Sequence, residues 1–265
     1  MDMLKLEKYL ERIHYSGAVE ADINTLKKIH QLHPAFIPFE NIDSYTGKVP
    51  SLDADDVFHK LVSEERGGYC YEQNLLLNEM LISMGFRAEI QLARVLWKKD
   101  ENSRTAKTHM LQIVELDEQK YLVDCGFGTV TLTSPLLLDN EEPQSTPNGQ
   151  FRISRKDNGY TLYFWKEIWL PVYRFVLDNV EHTDLEVANW YVATHPQSGF
   201  RKNLILSKVD EKARYTFVDH VLNIRYNNGE KTSSDIDSNH RLFEMLENVF
   251  GLKENAVEML KHAGY

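Results

Sequence analysis

The stretch that decides the fold is RGGYCYEQN, residues 66–74. Gly67 and Gly68 allow the backbone a tight turn, and the apolar spacing that follows predicts a helix beginning near Cys70. The partial positive charge at a helix N-terminus stabilises a thiolate, the nucleophilic form of cysteine. Cys70 is therefore a candidate nucleophile, although a buried cysteine that only fills space fits the same residues.

Two polar residues stand at the ends of otherwise apolar segments. His109 opens HMLQIV and Asp124 closes YLVD. If these segments pair as strands, both side chains emerge at one edge of a sheet. A nucleophilic cysteine needs a base, and the base needs a carboxylate to orient it, so we predict a triad of Cys70, His109 and Asp124. Taken singly, His109 also fits a hydrogen-bonded strand end and Asp124 a cap.

The segment DCGFG, residues 124–128, follows directly. Gly126 and Gly128 flank Phe127 and let the backbone approach a ligand closely. The segment lacks the Gly-Lys-Ser/Thr of a phosphate loop. Cys125 is expected to be a small buried filler.

A fourth motif is PFEN, residues 38–41, which places Glu40 among apolar neighbours. A buried carboxylate needs a partner, and Arg66 is the candidate. We interpret this pair as structural.

Composition excludes several classes of protein. The 265 residues carry a net charge of −10 and 42% hydrophobic residues, with only two cysteines. Enough apolar material is present for a sizeable core, whereas a disulfide framework or a cysteine-rich metal site is excluded. The acidic balance argues against nucleic-acid binding. Neither a secretory signal nor a membrane span is predicted, so we expect a soluble, cytoplasmic protein without a metal.

Hydrophobic periodicity predicts helices in the first third and strands in the middle. Helices are expected at residues 6–13, from an N-cap at Asp22 to a stop at Pro34, at 57–62, 77–84 and 184–194, and at 242–249 with a stop at Gly251. Strands are expected at residues 88–97, 109–116, 120–124, 151–154, 160–165, 204–209, 215–218 and 220–226. Residues 138–149 are expected to form a loop.

The four motifs together resemble the arylamine N-acetyltransferases over essentially the whole chain. PFEN, RGGYCYEQN, Thr108-His109-Met110 and VDCGFG occur in the order of that family. Cys125 stands where the family more often has an aliphatic residue.

The resemblance implies an α+β fold with a cysteine-protease-like Cys-His-Asp core. We expect a helical domain (1–86) that carries Cys70, a β-barrel-like domain (87–183) with His109 and Asp124, an interdomain helix (184–203) and an α/β lid (204–265). This order agrees with the pattern of helices and strands.

The resemblance also implies a ping-pong transfer of acetyl from acetyl-CoA to arylamines, arylhydrazines or N-hydroxyarylamines, as in xenobiotic metabolism. By family position, Phe39, Val95 and Phe127 would line the acceptor pocket. Coenzyme A would lie between barrel and lid, near Gly126 and Gly128. Backbone N–H groups near Cys70 and in this glycine loop would hold the oxyanion.

Two alternatives remain. The first is a thiol hydrolase or transglutaminase-like enzyme with the same triad. The second is a non-catalytic binding module in which Cys70 is structural. Whether acetyl-CoA acylates Cys70 and whether water can then reach the thioester distinguish the two enzymes, and rapid alkylation of Cys70 over Cys125 would count against the binding module.

Overall fold

Helices form the first third of the chain and return near its end in a computed structural model that describes residues 3–263. The α-helices are α1 (Met3–Arg12), α2 (Ile23–Phe36), α3 (Ile42–Tyr45), α4 (Ala54–Phe58) with a π-helical turn (His59–Ser63) directly after it, α5 (Cys70–Ser83), α6 (His182–Thr194), α7 (Gly199–Lys202), α8 (Asn239–Asn248) and α9 (Glu254–His262). Asp22 caps α2 by accepting a hydrogen bond from the Thr25 backbone N–H at 2.7 Å, which is the role its position predicted.

The strands form two antiparallel sheets. They are β1 (Phe39–Glu40), β2 (Arg87–Val95), β3 (Lys107–Leu116), β4 (Gln119–Val123), β5 (Leu136–Leu137), β6 (Gln144–Thr146), β7 (Gly149–Lys156), β8 (Gly159–Lys166), β9 (Ile168–Val176), β10 (Ile205–Val209), β11 (Ala213–Val218), β12 (Val221–Tyr226) and β13 (Lys231–Asp235). The larger sheet has the order β5-β4-β3-β2-β9-β8-β7-β6, and the smaller one has the order β1-β10-β11-β12-β13.

The larger sheet curls until its two edge strands meet, which makes it a nearly closed barrel. The Gln144 side chain of β6 bridges the edges, because it accepts a hydrogen bond from the Leu137 N–H (2.8 Å) and donates one to the Leu137 carbonyl (2.9 Å). The interior is filled by side chains such as Ala93, Leu111, Phe151 and Leu162. The predicted α+β fold with a barrel-like centre is confirmed.

The smaller sheet reaches back into the first third of the chain. Strand β1 pairs with β10, with Phe39 opposite Ser207. Asn41, the residue directly after β1, donates hydrogen bonds to the carbonyls of Phe200 and Asn203 and accepts one from the Ile205 N–H at 2.7 Å. PFEN therefore joins the helical region to the C-terminal sheet. The domain boundaries after residues 86, 183 and 203 stay predictions.

A buried cluster of charges lies beneath the first turn of α5. Arg66 Nη2 contacts Glu40 Oε1 at 2.6 Å and Arg66 Nη1 contacts Asp43 Oδ1 at 3.0 Å. Lys60 Nζ lies 2.7 Å from Asp43 Oδ2 and 2.6 Å from Glu72 Oε1. Burial raises the pKa of Glu72 to about 7 against the opposing effect of Lys60. The cluster fixes the chain on both sides of the turn that precedes Cys70.

Several elements differ from the sequence prediction. The predicted stop of α2 at Pro34 is wrong, because Pro34 lies in the last turn and the helix continues to Phe36. A proline in the last turn removes only one backbone hydrogen bond, close to the end of the helix. The predicted loop 138–149 contains the short strand β6.

Three elements of five or more residues were not predicted. Strand β9 contains Pro171, which argues against a strand, but Pro171 sits at an irregularity in the β8–β9 pairing where proline is tolerated. Strand β13 is exposed along its whole length and so has no apolar alternation. Helix α9 follows Gly251, where a helix end was predicted.

The first prediction concerns the buried ion pair. Glu40→Gln removes the charged partner of Arg66 Nη2, and we expect it to lower the free energy of unfolding by ~3–5 kcal/mol because a buried guanidinium is left partly uncompensated. Denaturant unfolding measures this change. The control is Glu115→Gln, whose partner Arg87 lies 4.0 Å away with 85% of its side chain exposed; its stability should be unchanged. Equal stability of the two variants would contradict the structural interpretation.

Candidate active site

Cys70 is the first residue of α5 and is 3% exposed. The Glu72 carboxylate accepts a hydrogen bond from the Tyr69 N–H at 3.1 Å and so caps this end of the helix. The thiol sits 3.9 Å from the Thr108 carbonyl. The sequence therefore places Cys70 where the helix dipole favours a negatively charged sulfur.

His109 and Asp124 meet at one edge of the barrel. Strands β3 and β4 pair with Gln112 opposite Val123, so the residue after β4 comes alongside the start of β3. His109 Nε2 lies 2.7 Å from Asp124 Oδ2, and both side chains are buried. A bulge next to His109, where β2 and β3 shift register between Ala93 and Arg94, accompanies this arrangement. Bulges commonly re-aim side chains near functional sites.

Charge and hydrogen bonds determine the protonation of this pair. Burial disfavours the imidazolium, but the charge of Asp124 and hydrogen bonds to Asp124 and Cys70 outweigh it and raise the pKa of His109 to about 10. Burial also works against the Asp124 carboxylate, but His109, Asn74 and the Gly126 N–H lower its pKa below the usual range. His109 thus carries a proton at neutral pH.

Asn74 is a site residue that sequence reasoning missed, although it ends the RGGYCYEQN stretch. Its Nδ2 donates to Asp124 Oδ1 at 3.0 Å and to the Met110 carbonyl at 2.7 Å. Its Oδ1 accepts from the Cys125 N–H at 3.2 Å. The signal was present, because a residue four positions after Cys70 lies on the same face of the helix.

The glycine after Cys125 is required by close packing. A Cβ atom on Gly126 would lie 2.8 Å from Cys70 Cα and 2.7 Å from Asn74 Nδ2. The Gly126 N–H donates to Asp124 Oδ1 at 2.9 Å. That donor is therefore already engaged, and the oxyanion role expected of backbone N–H groups near Cys70 and in this glycine loop stays a prediction. Cys125 is buried, as expected for a filler.

The candidate acceptor residues lie around one cavity of about 370 Å³ beside Cys70 and His109. Phe39, Val95, Phe127 and Gly126 line it. Gly128 is outside this lining and packs under the Phe39 ring, where a Cβ would meet ring atoms at 3.3 Å. The cavity has other lining residues that were not predicted from the sequence: Trp97, Lys99, Thr108, Thr129, Tyr191, Val192, Gln197, Ser198, Gly199, Phe200 and Ile205.

Glu40 and Arg66 are not part of this cavity, since both belong to the buried charge cluster. Within residues 3–263, no cluster of three or more His, Cys, Asp or Glu side chains is arranged to hold a metal ion. No helix in this described range has the length and apolar character needed to cross a bilayer.

Comparison with known proteins identifies the class. A family model described as N-acetyltransferase matches residues 22–258, so the chain is an N-acetyltransferase by class. The arylamine N-acetyltransferase of Mycolicibacterium smegmatis is 37% identical over 254 residues, which cover 94% of this chain and 92% of that protein. The chain belongs to the arylamine N-acetyltransferase family.

Two further relatives cover nearly the whole chain. A Salmonella typhimurium protein named arylamine N-acetyltransferase / N-hydroxyarylamine O-acetyltransferase is 31% identical over 256 residues, 96% of this chain and 90% of that protein. The structure of the Mycobacterium marinum arylamine N-acetyltransferase in complex with CoA superimposes with a TM-score of 0.90 at 30% identity, covering 98% of this chain and 95% of that one.

The second prediction concerns the proton on His109. Since its pKa is raised from 6.5 to about 10, the pair with Asp124 contributes stability that is fully present below about pH 6.5 and is lost as the pH rises toward 10. We expect ¹⁵N NMR to show both ring nitrogens protonated at pH 8. In Asp124→Asn the ring should be neutral at that pH. A neutral His109 in the wild-type protein at pH 7 would contradict the ion pair.

Proposed function

We propose that this protein transfers the acetyl group of acetyl-CoA to the nitrogen of an aromatic amine through a thioester on Cys70, with His109 and Asp124 as the other members of a catalytic triad. The observation that carries the proposal is the 2.7 Å contact between His109 Nε2 and Asp124 Oδ2, held against a cysteine at a helix N-terminus. Asp124 orients His109, and His109 exchanges a proton with the reacting groups at Cys70.

In the first half-reaction, the Cys70 sulfur bonds to the carbonyl carbon of the acetyl group. The bond from that carbon to the sulfur of CoA then breaks, and the proton on His109 passes to the departing CoA thiolate. One thioester replaces another, so the exchange is nearly balanced in free energy. After it, His109 is neutral and can act as a base.

In the second half-reaction, the amine nitrogen bonds to the same carbonyl carbon while the bond to the Cys70 sulfur breaks. His109 takes the proton from nitrogen and again faces a Cys70 thiolate. Aromatic amines of low basicity arrive uncharged and lose their water shell readily. A cavity lined by Phe39, Val95 and Phe127 suits such acceptors.

Arylhydrazines and N-hydroxyarylamines can accept the acetyl group by the same second half-reaction. CoA would enter between barrel and lid near Gly126 and Gly128, beside the cavity that Gly126 lines. Ser207 of the lid donates to the Gly128 carbonyl at 3.0 Å, so both sides of this entry meet there. The net charge of −10 favours small-molecule partners over nucleic acid or anionic membranes, and we place the enzyme in the cytoplasm.

The third prediction is a single acetylation without an amine. Acetyl-CoA alone should acetylate Cys70 once, release one equivalent of CoA and then stop, because the buried site gives water poor access to the thioester. Intact-protein mass spectrometry and a thiol assay of CoA measure the two products. A hydrolase would release CoA continuously, and a non-catalytic module would form no adduct; either result would overturn the transferase.

Selective alkylation provides the matched control. Iodoacetamide should label Cys70 rapidly at pH 6, where an unassisted thiol is almost fully protonated, and prior acetyl-CoA should protect it. Cys125 should stay unlabelled, because burial raises the pKa of its thiol. Cys70→Ser should lose both reactions and Cys125→Ser should keep both.

The fourth prediction concerns Asp124. Asp124→Asn should lower kcat by roughly 10⁴ by analogy with the amide substitution in serine proteases, because an amide stabilises the wrong tautomer of the histidine. Steady-state kinetics with a chromogenic amine measure the loss, and circular dichroism checks the fold. Asp178→Asn, a change at an exposed carboxylate on the barrel, is the control and should retain wild-type kcat. A folded Asp124→Asn with undiminished kcat would remove Asp124 from the triad.

A further inference from the structure

A row of polar side chains crosses the outer face of the barrel. Lys107 of β3 is opposite Arg94 of β2, and Arg94 is opposite Arg174 of β9. The row continues with Thr161 of β8 and Ser154 of β7. Directly opposed residues project from the same face of a sheet. Five neighbouring strands thus present three cations followed by two hydroxyls.

This row faces away from the candidate active site. The residues next to it in the chain, among them Ala93, Tyr173, Leu162 and Ile153, belong to the buried core of the barrel. Since successive side chains alternate between faces, the row points outward. All five of its residues line a second cavity of about 290 Å³.

Carboxylates of the described residues balance the charge of this row only in part. Like charges directly opposite each other destabilise a sheet, and here two such pairs adjoin. Lys107 reaches Asp178 at the rim, 3.1 Å away, where 54% of the carboxylate side chain is exposed. Arg94 and Arg174 form no ion pair with any residue between 3 and 263.

The other charges around the cavity leave a positive excess. Lys156 adds a fourth cation, whereas Glu101 and Asp157 are the carboxylates among its lining residues. Glu101 is engaged by the hydroxyl of Tyr163. A local positive excess stands out in a chain whose net charge is −10, and it attracts anions into a concave surface.

The two guanidinium groups are already held in place. Arg94 Nη1 donates to the Thr105 carbonyl, and Arg174 donates to the carbonyls of Ser103 (3.0 Å) and Glu101 (3.4 Å). Each guanidinium has five N–H donors, and neither makes another hydrogen bond to the part of the chain that the structure describes. The backbone carbonyls therefore orient both guanidinium groups, and the remaining N–H donors of these groups can bind a ligand.

We propose that this row, Lys107, Arg94, Arg174, Thr161 and Ser154, is a binding site for the phosphate groups of a small organic phosphate. Arginine forks match phosphate oxygens in geometry and charge, and the hydroxyls supply neutral donors beside them. Neighbouring strands lie about 4.8 Å apart, so the three cations span about 10 Å, which suits a diphosphate better than a single phosphate. Binding of pyrophosphate at this row is measured without acetyl transfer, so it can fail or succeed separately from the proposed function.

Calorimetric titration with inorganic pyrophosphate and with ADP tests the site directly. We expect saturable binding by the wild-type protein and about tenfold weaker binding after Lys107→Gln or Arg174→Gln, the loss of one charge-assisted contact. Arg155→Gln removes an equal charge from the neighbour of Ser154; Arg155 pairs with Asp139 outside the row, and this control should bind as the wild type does.

Two variants guard against a folding artefact. Arg174→Lys keeps the charge but loses the fork, and we expect intermediate affinity. Thr161→Val removes only a hydroxyl, and the Thr161 side chain, unlike those of Arg94 and Arg174, does not hold a loop by hydrogen bonds. We therefore expect several-fold weaker binding and an unchanged melting temperature of the protein. Binding that is absent in the wild type, or equal in the row variants and Arg155→Gln, would overturn the proposal.

The phosphate groups have two sources, CoA itself and a separate phosphorylated metabolite. Kinetics with acetyl-CoA and with the phosphate-free donor S-acetyl-N-acetylcysteamine distinguish them. If CoA is the source, Lys107→Gln raises KM for acetyl-CoA about tenfold and leaves KM for the short donor unchanged. If a metabolite is the source, both KM values stay constant while pyrophosphate binding is lost.

Discussion

The buried carboxylate of Asp124 is the constraint on which the rest of the structure depends. A fully buried charge is tolerated only when it is paired and hydrogen-bonded. Its partners come from three places: His109 at the start of β3, Asn74 on α5, and the backbone N–H of Gly126. Satisfying this one group therefore brings the first turns of the cysteine helix against the open edge of the barrel. The geometry that brings His109 to Cys70 also holds two parts of the fold together.

The segment that follows Asp124 is held by the smaller sheet as well. Ser207 donates to the Gly128 carbonyl at 3.0 Å, and Arg214 donates to the Thr131 carbonyl at 2.8 Å. Thr131 in turn donates to the Asp124 carbonyl at 3.3 Å. Arg214 is almost fully buried, and burial together with nearby Arg225 lowers its pKa to about 9. The C-terminal sheet thus helps to fix the position of the glycine loop beside Cys70.

Charge is distributed unevenly in this acidic chain, and three groups of charged residues have different roles. The buried cluster around Arg66 fixes the turn before Cys70, and the His109–Asp124 pair sets a proton beside the thiol. The row that contains Arg94 and Arg174 presents positive charge on the outer face instead. Short-range pairing dominates in the first two because they are buried. The third faces a cavity open to solvent, where an anion is able to bind.

Local sequence determined the cysteine at a helix N-terminus, the polar ends of two apolar strands, the Asp22 cap and the family, because each depends on residues close together in the chain. The family and the α+β fold were confirmed. The tertiary structure alone decided which donors satisfy Asp124, that the Gly126 N–H is engaged, that β1 joins the smaller sheet, and which side chains complete the cavity. Strand β13 and the cation row also depend on register across strands. Periodicity along one segment carries no information about the residues that lie opposite it, because pairing between distant strands depends on how the whole chain packs.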